Sequence, residues 1–217
     1  MPNCILFYPV FGASLNLFLG SLTVRSQLPL FFDCIGTAIV AIMAGPVLGM
    51  ATGLTTTVLG GVYFAYDLAF APVGIFIGAA VGLLARRGAF KKLSWIIFSG
   101  LGMGLGAGVI SVYVLIFSFS GRPRKGPENL TKFYELIFQD ERVAIISQGL
   151  TSDVLDKVFT VLIACLVLRF MPRALARHYT VTFNSEVLRK VLNAPDPRAE
   201  SDASATSARR AKQHASA

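Results

Sequence analysis

Histidine is nearly missing from this sequence: His178 and His214 are the two present, both in the last fifth of the chain. Neither belongs to an H-E-x-x-H pattern, and neither G-x-S-x-G nor G-x-x-x-x-G-K-[ST] occurs. The chain alone therefore holds no arrangement for zinc-assisted, serine-type or nucleotide hydrolysis, and it is expected not to be an enzyme. Cysteine is scarce too. Cys4, Cys34 and Cys165 are far apart, odd in number and without metal-ligand spacing, so they read as small apolar residues. Charge is the third shortage, at 15% of residues against 54% hydrophobic, with a mean hydropathy of +0.63. A soluble domain of this length would struggle to hide that much apolar surface, so the composition points to a polytopic membrane protein. Finally, Lys and Arg are absent from the first 24 residues. Without a basic n-region this stretch reads as a retained first helix rather than a signal peptide.

The cations that are present account for the net charge of +8 and cluster beside apolar runs. "RRGAFKK" (Arg86 to Lys92) has four and no acid, and nine lie from Arg169 onward. The 120–149 connection mixes Arg122, Arg124, Lys125, Lys132 and Arg142 with Glu128, Glu135, Asp140 and Glu141. Positive-inside topology makes the first two sites cytoplasmic. Clear spans are predicted at 4–24, 72–87, 93–119 and 152–171. Between Leu30 and Tyr66, Gly45-Pro46 breaks the chain into helices of 31–44 and 46–66, which gives six spans with both termini cytoplasmic. The rival is one kinked helix over 35–60 and five spans. The fold class is thus all-α, with a transmembrane domain over 1–178 and a cytoplasmic, disordered basic tail over 179–217.

Small residues recur every fourth position: Gly12, Asn16 and Gly20; Gly45, Gly49 and Gly53; Gly74, Gly78 and Gly82; Gly100, Gly104 and Gly108. That spacing puts each set on one helix face, where backbones can approach. Each seam alone suits packing within the chain, but four are more than a small bundle needs, so one is expected to dock another membrane subunit. Asn16, mid-span, reads as interhelical glue.

The polar inventory near the membrane is short: Asp33, Thr37, Thr55 to Thr57, Tyr63, Tyr66, Asp67, Gln148, Asp153, Asp156 and Lys157. Asp153 can cap a helix starting near 152, with Asp156 in its first turn, where a negative charge suits the dipole. Lys157 opposes that dipole and needs a carboxylate, Asp153 locally or Asp33 across the bundle. The predicted topology places these groups at the outer ends of their helices. The candidate ligand-binding residues are Asp33, Thr37, Thr56, Tyr63, Tyr66, Asp153, Asp156 and Lys157, around an outward-facing pocket for a small polar or heterocyclic molecule.

Three pieces, "ASLNLFLG", "LPLFFDCIGTAIVAIMAGPVLGMATGL" and "SDVLDKVFTVLIACLVLRFMPRAL", occur in the order and spacing of a known family. In them the chain resembles the substrate-binding S components of energy-coupling factor (ECF) vitamin transporters, over about a third of its length. D-x-I-G-T, G-P-x-x-G and the late D-K are the most specific parts. The resemblance implies six helices, an outward pocket, no cofactor, and coupling to a transmembrane T subunit driven by two cytoplasmic ATPases. It also implies that Gly12, Ala13, Asn16 and Gly20 contact the T subunit. Thr56 or Thr57 stands where relatives carry Asn, so the resemblance does not name the vitamin. The alternative is a membrane-embedded sensor or scaffold bundle without transport.

Overall fold

A computed structural model describes residues 7–26, 30–119 and 128–170, and its regular structure among them is entirely helical. Seven α-helices follow one another: α1 (Phe7–Ser26), α2 (Ile35–Ala44), α3 (Pro46–Tyr63), α4 (Ala71–Arg86), α5 (Leu93–Phe119), α6 (Glu128–Phe138) and α7 (Glu141–Arg169). Short 3-10 turns at Ala65–Phe70 and Ala89–Lys91 join α3 to α4 and α4 to α5. The expected C-terminal tail and both histidines lie outside the described residues.

The break at Gly45-Pro46 is as predicted, and its cause is local. Gly45 has φ 94° and ψ 177°, a conformation open to glycine alone, and Pro46 opens α3 at a position where its missing N–H costs nothing. The two helices on either side are therefore separate. α2 is only ten residues, about 15 Å long at 1.5 Å per residue.

The 120–149 region is not one loop. It contains α6 and the first turns of α7, which starts at Glu141 rather than near 152. The cap is Asp140, whose carboxylate accepts from the backbone N–H groups of Arg142 (2.8 Å) and Val143 (3.2 Å). Asp153 is consequently no cap, and Asp156 and Lys157 stand in mid-helix.

The glycine seams are filled from within the chain. Along the α3–α4 contact Gly53 meets Gly74, Gly49 meets Gly78 and Pro46 meets Gly82, all backbone to backbone. Gly100, Gly104 and Gly108 of α5 accommodate Val158, Val154 and Leu150 of α7 in the same antiparallel manner. On α1 a Cβ at Gly12 would lie 2.7 Å from the Thr52 methyl, and Ala13 and Asn16 are fully buried. Gly20 faces Asp33. The expectation that Gly12, Ala13, Asn16 and Gly20 dock a second subunit is corrected here: spacing showed a face on which backbones approach, and that face belongs to α2, α3 and the linker before α2. The outer face of α1 carries Phe7, Phe11, Phe18 and Leu22 instead.

The core is built from Ala38, Ala41 and Ile42 of α2, Ile77 and Val81 of α4, Met103 and Ala107 of α5, and Val161, Ala164 and Leu168 of α7. Outside it, large apolar side chains remain exposed along all the long helices, among them Val62, Phe98, Val109, Phe117 and Leu136. A surface of that kind marks contact with membrane or partner rather than water. Ala65–Arg86 and Leu93–Phe119 are long and apolar enough to cross a membrane. The helices that supply the buried polar groups, α1, α3 and α7, are less apolar.

Candidate functional site

The ten residues of α2 decide where the polar groups lie. Its last residues reach Gly45-Pro46 at one end of the bundle, so its first turn stops partway along it. Gly36 packs on the carbonyl of Gly12 and its N–H donates to Asn16 Oδ1 at 2.6 Å, which caps α2 from α1. Asn16 Nδ2 donates to the hydroxyls of Thr37 (2.8 Å) and Thr56 (2.9 Å), and Thr56 passes its own proton to the carbonyl of Thr52. One buried amide thus fixes α1, α2 and α3 at a common level.

The same short segment is held from the other side by α7. Asp156, fully buried, accepts at Oδ1 from the backbone N–H groups of Phe31 (2.9 Å) and Phe32 (2.8 Å). Its Oδ2 receives Lys157 Nζ at 2.6 Å, and the ammonium lies 3.7 Å from Asp153 Oδ1. Phe32 has φ 50°, a left-handed conformation that a bulky residue adopts only under constraint, and the two bonds to Asp156 supply one. The linker is tied to α1 as well, through the Thr23 hydroxyl, which donates to the Phe31 carbonyl at 2.8 Å.

The depth of this cluster follows from the α5–α7 contact. Gly104, which packs on Val154 beside Asp153, is ~16 Å along α5 from Leu93 and ~22 Å from Phe119 at helical rise. Asp153, Asp156 and Lys157 are therefore near mid-bundle, not at the outer ends of their helices as the sequence suggested. Asp33 differs from expectation too. It precedes α2, is exposed, and accepts from the Cys34 thiol at 3.1 Å, while Lys157 is paired with Asp156 and Asp153 of its own helix. The sequence reading weighed Asp153 and Asp33 as partners for the lysine and passed over the adjacent Asp156.

Two candidates form an outer group away from this cluster. Tyr63, at the end of α3, is 79% exposed. Tyr66 stacks near Phe119 (ring centroids 4.1 Å) and Phe70 (5.1 Å) and ties the α3–α4 turn to the end of α5. Sequence reasoning missed Thr160. It lies one turn beyond Asp156 on the same face of α7, is 1% exposed, and its hydroxyl has no hydrogen-bond partner among the described residues. Its four-residue spacing from Asp156 was the available signal. Among the described residues no group of three or more His, Cys, Asp and Glu could hold a metal ion.

Asn16 is the simplest member to test. Asn16→Leu removes three hydrogen bonds and leaves the Gly36 N–H buried without an acceptor, an expected loss of about 1–3 kcal/mol. Thermal unfolding in detergent reads it directly, and a midpoint equal to that of the unsubstituted protein would remove Asn16 from the scaffold of the site.

No protein-family profile, curated protein or solved structure matches this chain.

Proposed function

We propose that this chain is the membrane-embedded substrate-binding subunit of an ECF-type importer, which captures a vitamin or similar small polar or heterocyclic micronutrient for uptake driven by partner subunits. In this reading α1 to α5 and α7 supply six membrane segments with both termini cytoplasmic, and α6 lies at the outer face. The partners are a transmembrane T subunit and two cytoplasmic ATPases.

One observation carries the proposal: a half-length helix begins in mid-bundle, among a buried amide, two hydroxyls and an ion pair. Non-helical backbone at that depth is tolerated in lipid only where protein or an aqueous cavity receives it, and discontinuous helices of this kind build the substrate sites of transporters. The D-x-I-G-T motif that carried the family resemblance is the segment pinned here, by Asp156 just before it and by Asn16 at its Gly and Thr.

The roles divide by what is already satisfied. Both oxygens of Asp156 are committed, one to the linker and one to Lys157, so this pair sets the shape of the site. Asp153, whose contact with the lysine is loose at 3.7 Å and which also accepts from Ser111, and Thr160, whose hydroxyl has no partner among the described residues, keep capacity for ligand donors and acceptors. Asp33 stands exposed on the linker before α2. The chain binds and releases, and does no chemistry on the ligand.

Co-expression with the T subunit and ATPases of an ECF module tests the partnership. A complex recovered through a tag on this chain, and ATP-dependent uptake of the small molecule released when the purified chain is denatured, are expected. Neither complex nor released molecule would overturn the proposal. Orientation has its own check. In a background without native cysteines, Glu141→Cys should react with an impermeant thiol reagent in intact cells and Ser94→Cys should not; the reverse pattern would invert the topology.

A further inference from the structure

α4 and α5 touch where the ring of Phe76 packs on Gly106. Between α4 and α5 lies an open groove of about 680 Å³, walled by Phe76, Leu84, Phe98 and Trp95 and floored at Gly102, where an added Cβ would meet nothing within 4 Å. Its one charged lining residue is Arg87, at the end of α4. Arg86 and Lys92 are exposed and near it in sequence, and no acid interrupts the sequence from Arg86 to Lys92. Trp95, 59% exposed, stands close by in sequence at the start of α5, as tryptophan does where hydrocarbon gives way to headgroups.

We propose that this groove binds an anionic phospholipid, with one acyl chain lying along Phe76, Phe98 and Gly102 and the phosphate on Arg87. The groove is continuous with the exposed apolar faces of α4 and α5, so a chain from the surrounding bilayer enters it without crossing polar surface. The guanidinium offers paired donors to phosphate, and basic pockets between membrane helices on the cytoplasmic side are suited to anionic headgroups. The site is separate from the polar cluster around Asp156 and rests only on the chain residing in a membrane, not on its acting in import.

The full chain is first reconstituted into vesicles and floated on a density gradient. Failure to float overturns the membrane reading itself. Floating protein is then extracted in detergent and analysed by native mass spectrometry with phosphatidylglycerol or phosphatidylcholine added. One phosphatidylglycerol is expected to remain bound under activation that strips phosphatidylcholine. Arg87→Ala should lower its occupancy about tenfold, as loss of a charge-assisted phosphate contact predicts. Gly102→Leu, whose Cβ meets nothing within 4 Å, should reduce binding of both lipids while leaving the circular dichroism unchanged. Equal retention of the two lipids, or unaltered phosphatidylglycerol binding in both variants, would overturn the site. So would a protein subunit that occupies the groove and is displaced by Gly102→Leu.

Discussion

Asp156→Ala is expected to destabilise the protein by about 3–5 kcal/mol, the cost of stripping one partner from a buried ion pair. The substitution leaves Lys157, 3% exposed, with only the 3.7 Å contact to Asp153. It also leaves the N–H groups of Phe31 and Phe32 without their acceptor, at a point where Phe32 already holds an unfavourable φ. Two comparisons separate these effects. Asp156→Asn keeps an oxygen for the linker amides and removes the charge, so its deficit relative to alanine isolates the linker bonds. Lys157→Met removes the cation and leaves Asp156 with two backbone donors, so it should cost less than Asp156→Ala. The double substitution Asp156→Asn with Lys157→Met should be less damaging than the sum of its parts by an interaction energy of ~0.5–3 kcal/mol. Equilibrium unfolding in mixed micelles, followed by circular dichroism, gives all four values. Additivity, or single variants within ~0.5 kcal/mol of the parent, would show that the pair does not organise this region.

The contrast between Asp156 and Asp33 shows what the sequence could convey. A carboxylate among apolar residues announces itself, and so does a lysine three turns from any helix end. Which of them pair depends on where the helices begin. Reading α7 from residue 152 put Asp156 in a first turn, where dipole and solvent explain it. The Asp140 cap moves it four turns inward, where only a partner does. The signal for that start, an aspartate followed by a charged first turn, stands in the sequence at Asp140, Glu141 and Arg142. Asp156 is joined to Phe31 across 125 residues, and no local pattern encodes such a contact.

Element boundaries fared better where backbone chemistry is decisive. Gly45-Pro46 ends one helix and starts the next whatever surrounds it, and α5 runs over the predicted 93–119 because its apolar run is uninterrupted. The depth of α2 was out of reach, since ten residues do not say at which level they lie. The Asn16 bond to Gly36 supplies that level, and glue was the right reading of the asparagine. The seams were half legible: spacing identified the close-contact faces of α1, α3, α4 and α5, but a small face says nothing of what fills it.

The contact of α3 with α4 provides the sharpest test of that packing, because it sets the sign of a glycine substitution. Gly→Ala in an exposed helix interior should stabilise by ~1 kcal/mol through helix propensity. At Gly53 the expectation reverses. The added Cβ would fall on the carbonyl of Gly74, closer than real Cβ contacts occur, and the obstacle is backbone that cannot swing aside as a side chain does. α3 and α4 must move apart, and the movement also loosens Gly49 against Gly78 and Pro46 against Gly82. Gly53→Ala is therefore expected to cost about 1–3 kcal/mol, the range for overpacking a tight contact, and Gly53→Leu to prevent folding altogether. Gly102→Ala, with nothing within 4 Å of its new methyl, is the matched control and should be neutral or stabilising. Unfolding midpoints of the two alanine variants in the same detergent decide the matter. If Gly53→Ala melts at or above the parent, α3 and α4 are not in backbone contact, and the level at which α3 presents Thr56 to Asn16 would have to be drawn again.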